Sequence, residues 1–337
     1  MIFGRSEESR MGLMMNETFL KKVYFILKPI LSKKLRIYLR RMHVFWKKSA
    51  YADIWPIESK AKEAPKGWTG WPDGKQFALV LTHDVETGAG QEKCISLANL
   101  EKSLGFRSSF NFIAEQYKLS LDCQTYLRRN GFEIGLHGLV HNGNPFRSRE
   151  FFDKQKPKIN RYLKGLNAAG FRCPSMYHKL EMIGELDIQY DSSTFDIDPF
   201  EPQPDGVGTI FPFWVQNGST PKGFVEIPYT LPQDYTLFVL LMEKNIDIWK
   251  GKLDWIAEKG GMALLITHPD YMNFQNNKCR IDEYPMRFYE EFLLYLKDKW
   301  KGRYWHPLPR EMALFWQKRN DQKEQENNQF NQLYRAT

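Results

Sequence analysis

The sequence predicts a parallel α/β fold, either a closed barrel or an open sheet. Two observations carry this. From about residue 77 onward, short apolar runs of strand length alternate with stretches of helical periodicity, the pattern of repeated βα units. Several of those runs also end abruptly in His, Asp, Glu or Arg, and in parallel α/β folds the working residues gather at the C-terminal ends of strands. A length of 337 residues suits one large barrel, and 42% apolar with 15% aromatic residues argues against a disordered chain.

Before the alternation begins, residues 19–46 place Leu27, Leu31, Leu35, Tyr38, Leu39 and Met42 on roughly one helical face, with Pro29 kinking or restarting the helix. Two readings stand: a basic amphipathic segment lying on anionic lipid or a membrane-bound partner, or a peripheral helix packed on the domain with a solvated charged face. The first 50 residues hold twelve Lys/Arg against three Glu, a net +9 within a chain total of +8, so the remainder sums to about −1. The basic character belongs to this appendage, and the body carries no nucleic-acid footprint. The Gly-, Pro- and Lys-rich stretch 60–75 reads as a linker.

FALVLTH (77–83) is a buried strand, and Leu97, Leu100 and Leu104 mark a helix ending at Gly105. SSFNFI (108–113) and FEIGLH (132–137) are the next strands, separated by a helix over 121–131. A helix over 149–169 leads to GFRCP (170–174). A helical 246–259 precedes the strand MALLITH (262–268), and Phe288, Phe292, Tyr295 and Leu296 form a late helical stripe. NDQKEQENNQFNQ (320–332) is a polar tail of disordered composition. The expected organisation is a basic N-terminal segment over 1–60, the main domain over 61–318 and a tail over 319–337. Four Cys without framework spacing read as reduced thiols, and neither a secretory leader nor an eighteen-residue apolar run is evident. The expected location is cytoplasmic, on the inner membrane face if residues 19–46 meet lipid.

The strand tips hold HDVE (83–86), HGLVH (137–141), Arg172 and THPD (267–270), and four of the seven His lie there. His137 and His141, spaced i, i+4, would share one face of a helical turn and could chelate one divalent ion. Two His and one carboxylate leave coordination positions open, the arrangement of a catalytic site, and a second carboxylate can take a proton from water.

These residues resemble, in order over roughly 77–300, the polysaccharide deacetylases of carbohydrate esterase family 4. THDVE is similar to the first family motif, HGLVH to the second, GFRCP to the third, YDSS (190–193) to the fourth and LITHP (265–269) to the fifth. VEIPYTLPQD (225–234) resembles a segment that often precedes the fifth. The resemblance implies a distorted barrel of about seven β/α units that hydrolyses an N-acetyl or O-acetyl group on a sugar. It implies a divalent ion, Zn favoured over Co, Ni or Mn, on Glu86, His137 and His141. It makes Asp84 the base, Arg172 the residue that orients it, Asp191 the support of Arg172, and His268 the acid, with a neighbouring carboxylate keeping His268 charged. It places an oxyanion-binding N–H at Ser175, where Tyr is usual, so that an aromatic wall is lost unless Tyr177 replaces it, and an acetyl-methyl pocket at Ile266.

The departure lies in the first motif, whose acids are usually adjacent and are here separated by Val85. Residues two apart on an extended chain point the same way, so Asp84 and Glu86 can both face the rim. Asp84 as base and Glu86 as ligand is the preferred assignment, and the swapped roles are the alternative. His83 reads as packing beneath the site, His178 is undecided, and the His-Pro pair at 306–307 reads as structural. Trp214, Tyr229 and Tyr271 read as core aromatics before sugar platforms. The expected substrate is an acetylated amino-sugar glycan or glycolipid precursor. The rival functions are an amidohydrolase or deformylase acting on a small non-glycan C–N bond, and a degenerate barrel that binds glycan without hydrolysis.

Overall fold

The structure is a computed structural model that describes residues 31–141, 144–216, 223–275 and 278–321. Of the amphipathic stretch, residues 19–30 lie outside the described residues, as does the polar tail from 322 onward. The first described helix is α1 (Lys33–Ala50), capped by the Ser32 hydroxyl.

The barrel begins with β1 (Phe77–Val85), buried along its whole length. Helix α2 (Gly88–Leu104) follows at once, capped by Thr87 and ended by Gly105 at φ 83°, a left-handed stop that glycine tolerates best. Then come β2 (Ser109–Phe112), α3 (Leu121–Arg129), β3 (Glu133–Leu136), α4 (Arg149–Gly165) and β4 (Gly170–Phe171). A short α5 (Leu180–Ile183) precedes β5 (Tyr190–Asp191), and the hairpin β6 (Phe213–Gln216) and β7 (Gly223–Glu226) follows. After a π-helical turn (Tyr235–Leu240) come α6 (Asp247–Lys259), β8 (Met262–Thr267), β9 (Met272–Asn273), β10 (Tyr284–Pro285), α7 (Arg287–Lys299) and β11 (Tyr304–Trp305). A last helix starts at 309.

Pairing runs β1–β2–β3–β4–β5–β7, all parallel, and β8 pairs parallel with β1 on its other edge. An isolated parallel bridge between Leu231 and Leu265 brings the chain after β7 against β8. This makes a ring of seven strands with one thin seam, the expected distorted β/α barrel. Strand β6 pairs antiparallel on the outer edge of β7, and β11 extends β1 at its N-terminal end. The hairpin has no counterpart in the sequence reading, because Phe213, Trp214 and Val215 are only half-buried.

The stretch 60–75 is packed on the barrel and is not a linker. Trp71 is buried and its indole donates to the Gly260 carbonyl at 2.8 Å. With Trp68, Phe211, Trp305 and Trp316 it forms an aromatic cluster with ring centroids 4.6–6.2 Å apart. This cluster closes the N-terminal end of the barrel, opposite the strand tips. Gly, Pro and Lys suggested a connector, but the two Trp among them supply the apolar area that is buried.

Candidate functional site

Alternation along β1 aims its side chains. Thr82 and Asp84 face the barrel interior, where both accept from the Arg172 guanidinium at 2.9 Å. His83 points the other way, to Glu101 on α2 at 2.8 Å and Thr267 at 2.7 Å, and Val85 is fully buried. Asp84 Oδ1 also accepts from Asn111 Nδ2 at 2.9 Å. Burial raises the Asp84 carboxyl, but the charges of Arg172, His137 and His268 and the Asn111 hydrogen bond outweigh it and hold it at about 2.

Arg172 is itself clamped by Ser192, through Nε to the carbonyl at 2.8 Å and Nη2 to the hydroxyl at 2.7 Å. The support expected from Asp191 thus comes from the next residue. Asp191 turns aside, accepting from the Ser193 hydroxyl at 2.8 Å and the Ser193 N–H at 3.0 Å. The reason is the two-residue period of an extended chain, which sends Asp191 and Ser193 to one side and Ser192 to the other.

His137 follows β3 directly. Its Nδ1 meets the Arg172 carbonyl at 3.0 Å; a carbonyl only accepts, so Nδ1 carries the proton and the Nε2 lone pair is left to face the site. Burial lowers this imidazole to about 4 despite nearby Asp84, so it is neutral at pH 7. His137 and His141 converge, with rings 5.7 Å apart, through a non-helical loop and not the expected helical turn. Gly138 makes this possible at φ 73°, and a Cβ there would lie 2.8 Å from Pro174.

His141 Nε2 lies 3.0 Å from Glu86 Oε1. The other Glu86 oxygen accepts from the Tyr271 hydroxyl at 2.6 Å, and the Glu86 N–H donates to Asp270 Oδ2 at 3.0 Å. Gln116 ties the two loops, accepting from the His141 N–H and donating to the Glu86 carbonyl, each at 2.9 Å. Burial raises the Glu86 carboxyl, yet His141 and His268 hold it well below the usual carboxylate range. One donor atom from each of Glu86, His137 and His141 lies within 4.8 Å of the other two. Two imidazoles and a carboxylate, one ring already neutral with its second nitrogen anchored, fit a borderline divalent cation.

His268 follows β8. Its Nδ1 and its N–H each meet Asp234 at 2.7 Å, and Asp234 also accepts from the Tyr284 hydroxyl at 2.9 Å. Burial lowers the imidazole, but Asp234, with Glu86 and Asp84, raises it to about 10. His268 Nε2 lies 3.8 Å from Glu86 Oε1.

At the third motif, Ser175 (φ 56°) and Met176 (φ 51°) are consecutive left-handed residues without glycine, a costly backbone held at the rim. Ile266 is fully buried on β8. Tyr271 stands beside the site, with its ring 5.2 Å from His268. Tyr229 is buried with its hydroxyl on Asp198 and Glu201, and Trp214 sits on the outlying β6. His178 meets the Met176 carbonyl at 3.0 Å, and His306 meets the Leu79 carbonyl at 2.9 Å.

Ser192 and Asp270 lie inside YDSS and THPD but were given no role from sequence, and Asn111 and Gln116 were not singled out at all. Of the latter two, Asn111 had a usable signal, an amide inside an apolar strand run. Asp234 lay within a segment already noted for its resemblance, without being singled out.

No family model matches the chain, and no curated protein does. Among solved structures, a protein described as a polysaccharide deacetylase from Mycobacterium smegmatis superposes with TM-score 0.57 at 16% identity, over 76% of this chain and 96% of that one. A probable polysaccharide deacetylase from Pseudomonas aeruginosa PAO1 gives 0.55 at 16% identity, over 74% and 93%. Puue allantoinase gives 0.54 at 17% identity, over 73% and 92%. At such identities the likeness is one of architecture: the chain has the fold of these polysaccharide deacetylases and of an allantoinase.

Proposed function

We propose that the chain is a metal-dependent deacetylase of the kind it resembles, removing an N-acetyl or O-acetyl group from a sugar of a glycan or glycolipid precursor, at the cytoplasmic side of a membrane. The observation that carries this reading is the convergence of Glu86, His137 and His141, flanked by Asp84 on Arg172 and by His268 on Asp234. A degenerate binding barrel would have no need to keep both flanking pairs intact.

In this reading Glu86, His137 and His141 hold a divalent ion, with Zn favoured. When bound, the ion polarises the acetyl carbonyl and acidifies water. Asp84, kept ionised and aimed by Arg172 and Asn111, accepts the proton of the attacking water. The Ser175 N–H, on its left-handed turn, donates to the developing oxyanion. His268 donates its Nε2 proton to the departing amine or alkoxide, and Asp234 on Nδ1 keeps that proton in place at neutral pH. Ile266 lines the space for the acetyl methyl.

The test is acetate release from N-acetylated sugars, lipid-linked sugars and chitin oligomers, alongside metal analysis of the purified protein. Asp84→Asn is expected to lower turnover by at least about 10²-fold while the protein keeps its metal. Metal lost from Asp84→Asn would reverse the roles of Asp84 and Glu86. A protein that neither holds nor takes up a divalent ion would sink the reading. The allantoinase likeness favours a second one, hydrolysis of a small non-glycan C–N bond by the same groups. Turnover of small amides and ureides without release of acetate from any sugar would select it.

A further inference from the structure

Helix α1 is attached to the barrel by a mixed face of two aliphatic and several basic side chains. Its buried residues are Ile37, Val44 and Lys47. From the same side Arg41 donates to the carbonyls of Val239 at 2.9 Å and Ile281 at 2.8 Å, and Lys47 to that of Pro199 at 2.6 Å. Lys48 pairs with Glu243 at 2.7 Å, and Lys33 pairs with Asp282. The opposite face carries Leu35, Tyr38, Leu39, Met42, Phe45 and Trp46, each 39–59% exposed. At 100° per residue these six span roughly a third of the helix circumference, the width of an ordinary core-facing stripe. Here that stripe faces outward, and an apolar patch of such size marks a contact surface.

We propose that the outward face of α1 is a docking surface for an anionic lipid bilayer, with the helix lying in the plane of the interface. Charge selects this occupant. The helix holds no acid, and of its seven Lys/Arg five (Lys33, Arg40, Arg41, Lys47 and Lys48) engage the barrel, which leaves Lys34 and Arg36 to flank the outward stripe. A second copy docked face to face would offer Lys34 and Arg36 no acid from this helix. Residues 1–32, with five Lys/Arg against three Glu, bring no complement either. A negatively charged headgroup layer supplies it. Trp46, Tyr38 and Phe45 are of the type that settles at the headgroup boundary, beside Leu and Met that reach below it. Among the described residues no helix is long and apolar enough to cross a membrane, so α1 lies on the bilayer and does not span it.

The surface also adjoins the site. The Arg40 guanidinium lies 4.8 Å from the Tyr235 ring centroid and donates to its hydroxyl at 3.2 Å. The Tyr235 ring is 4.6 Å from that of Tyr271, whose hydroxyl holds Glu86. Docking through α1 brings the strand tips beside the headgroups, where a lipid-carried sugar would be presented. That last step rests on the deacetylase reading; the docking does not.

The experiment is co-sedimentation of the full chain with phosphatidylcholine vesicles, with and without phosphatidylglycerol. Partition into the phosphatidylglycerol vesicles, weakened by added salt, is expected. Met42→Glu and Trp46→Glu are each expected to lower the partition coefficient by about tenfold or more, with an unchanged melting temperature because both side chains are exposed. Lys34→Glu is expected to lower it only for the anionic vesicles. Equal partition of wild type and stripe variants would overturn the proposal, as would equal affinity for neutral vesicles. A lipid-free dimer abolished by Met42→Glu would overturn it in favour of a second copy. No arm reads acetate release, so failure here stays distinct from failure of the deacetylase reading.

Discussion

Between Asp84 and Glu86 stands Val85, wholly buried, and its place separates the surroundings of the two acids. Asp84 is still within β1, so strand alternation delivers it to Arg172 and Asn111. Glu86 is the first residue past the strand and leans to His141 and Tyr271. One acid is fixed by a cation; the other is oriented by hydrogen-bonding neighbours beside two imidazoles. The fixity of Asp84 depends in turn on Gly135, because a Cβ there would lie 2.1 Å from Asn111 Oδ1. Gly135→Ala is therefore expected to drive Asn111 off Asp84. About 1–3 kcal/mol of stability should be lost in denaturant melts, together with a fall in turnover larger than the fall in metal content.

At the scale of elements, the segment between β5 and β6 packs acids against one another. Asp198 and Glu201 both accept from the single Tyr229 hydroxyl, at 3.0 and 2.9 Å, and Gln233 also donates to Glu201. One hydroxyl proton cannot serve two ionised carboxylates at once. Burial, followed by their mutual charge for Glu201, raises Asp198 to about 6 and Glu201 to about 8. Because these folded values stand above the unfolded ones of about 4, their contribution to stability is full below about pH 4 and is lost as pH rises through about 6 and then about 8. Glu201→Gln is expected to flatten the upper part of that fall, read as the melting temperature of variant minus wild type between pH 5 and 9. A difference that does not change with pH would contradict the protonation assigned here.

Taken whole, the barrel is sealed at one end by aromatic packing and carries the candidate site at the other. Trp71→Ala, which removes a large buried ring from the sealed end, is expected to cost about 3–5 kcal/mol in denaturant melts and to leave the pH dependence of turnover unchanged. Much of this division was legible beforehand. Uninterrupted apolar runs such as those at 77–83 and 262–268 announce strands buried on both faces, and polar residues at their tips announce the working rim. What was hidden depends on contacts distant in sequence. Ser192 in place of Asp191 beneath Arg172 is decided by which way a two-residue strand points. The plug built from 60–75 shows only when Trp71 meets Gly260. The outward stripe of α1 was seen as amphipathic, but periodicity does not say which face a neighbour takes.

The seam of the ring lies beside His268. Leu231 meets Leu265 in its one bridge, and three residues further along both strands Asp234 grips His268 at 2.7 Å through both backbone and ring. The pair that sets the imidazole's proton thus also helps fasten the circle, beside the bonds that Thr230 and Leu231 make to Met262 and Leu264. Local loosening of this join would carry His268 away from the strand tips while Glu86, His137 and His141, borne by β1 and β3 on the continuous side, stayed in place. If the proposed function holds, gentle heating is expected to abolish acetate release before it releases a divalent ion from Glu86, His137 and His141.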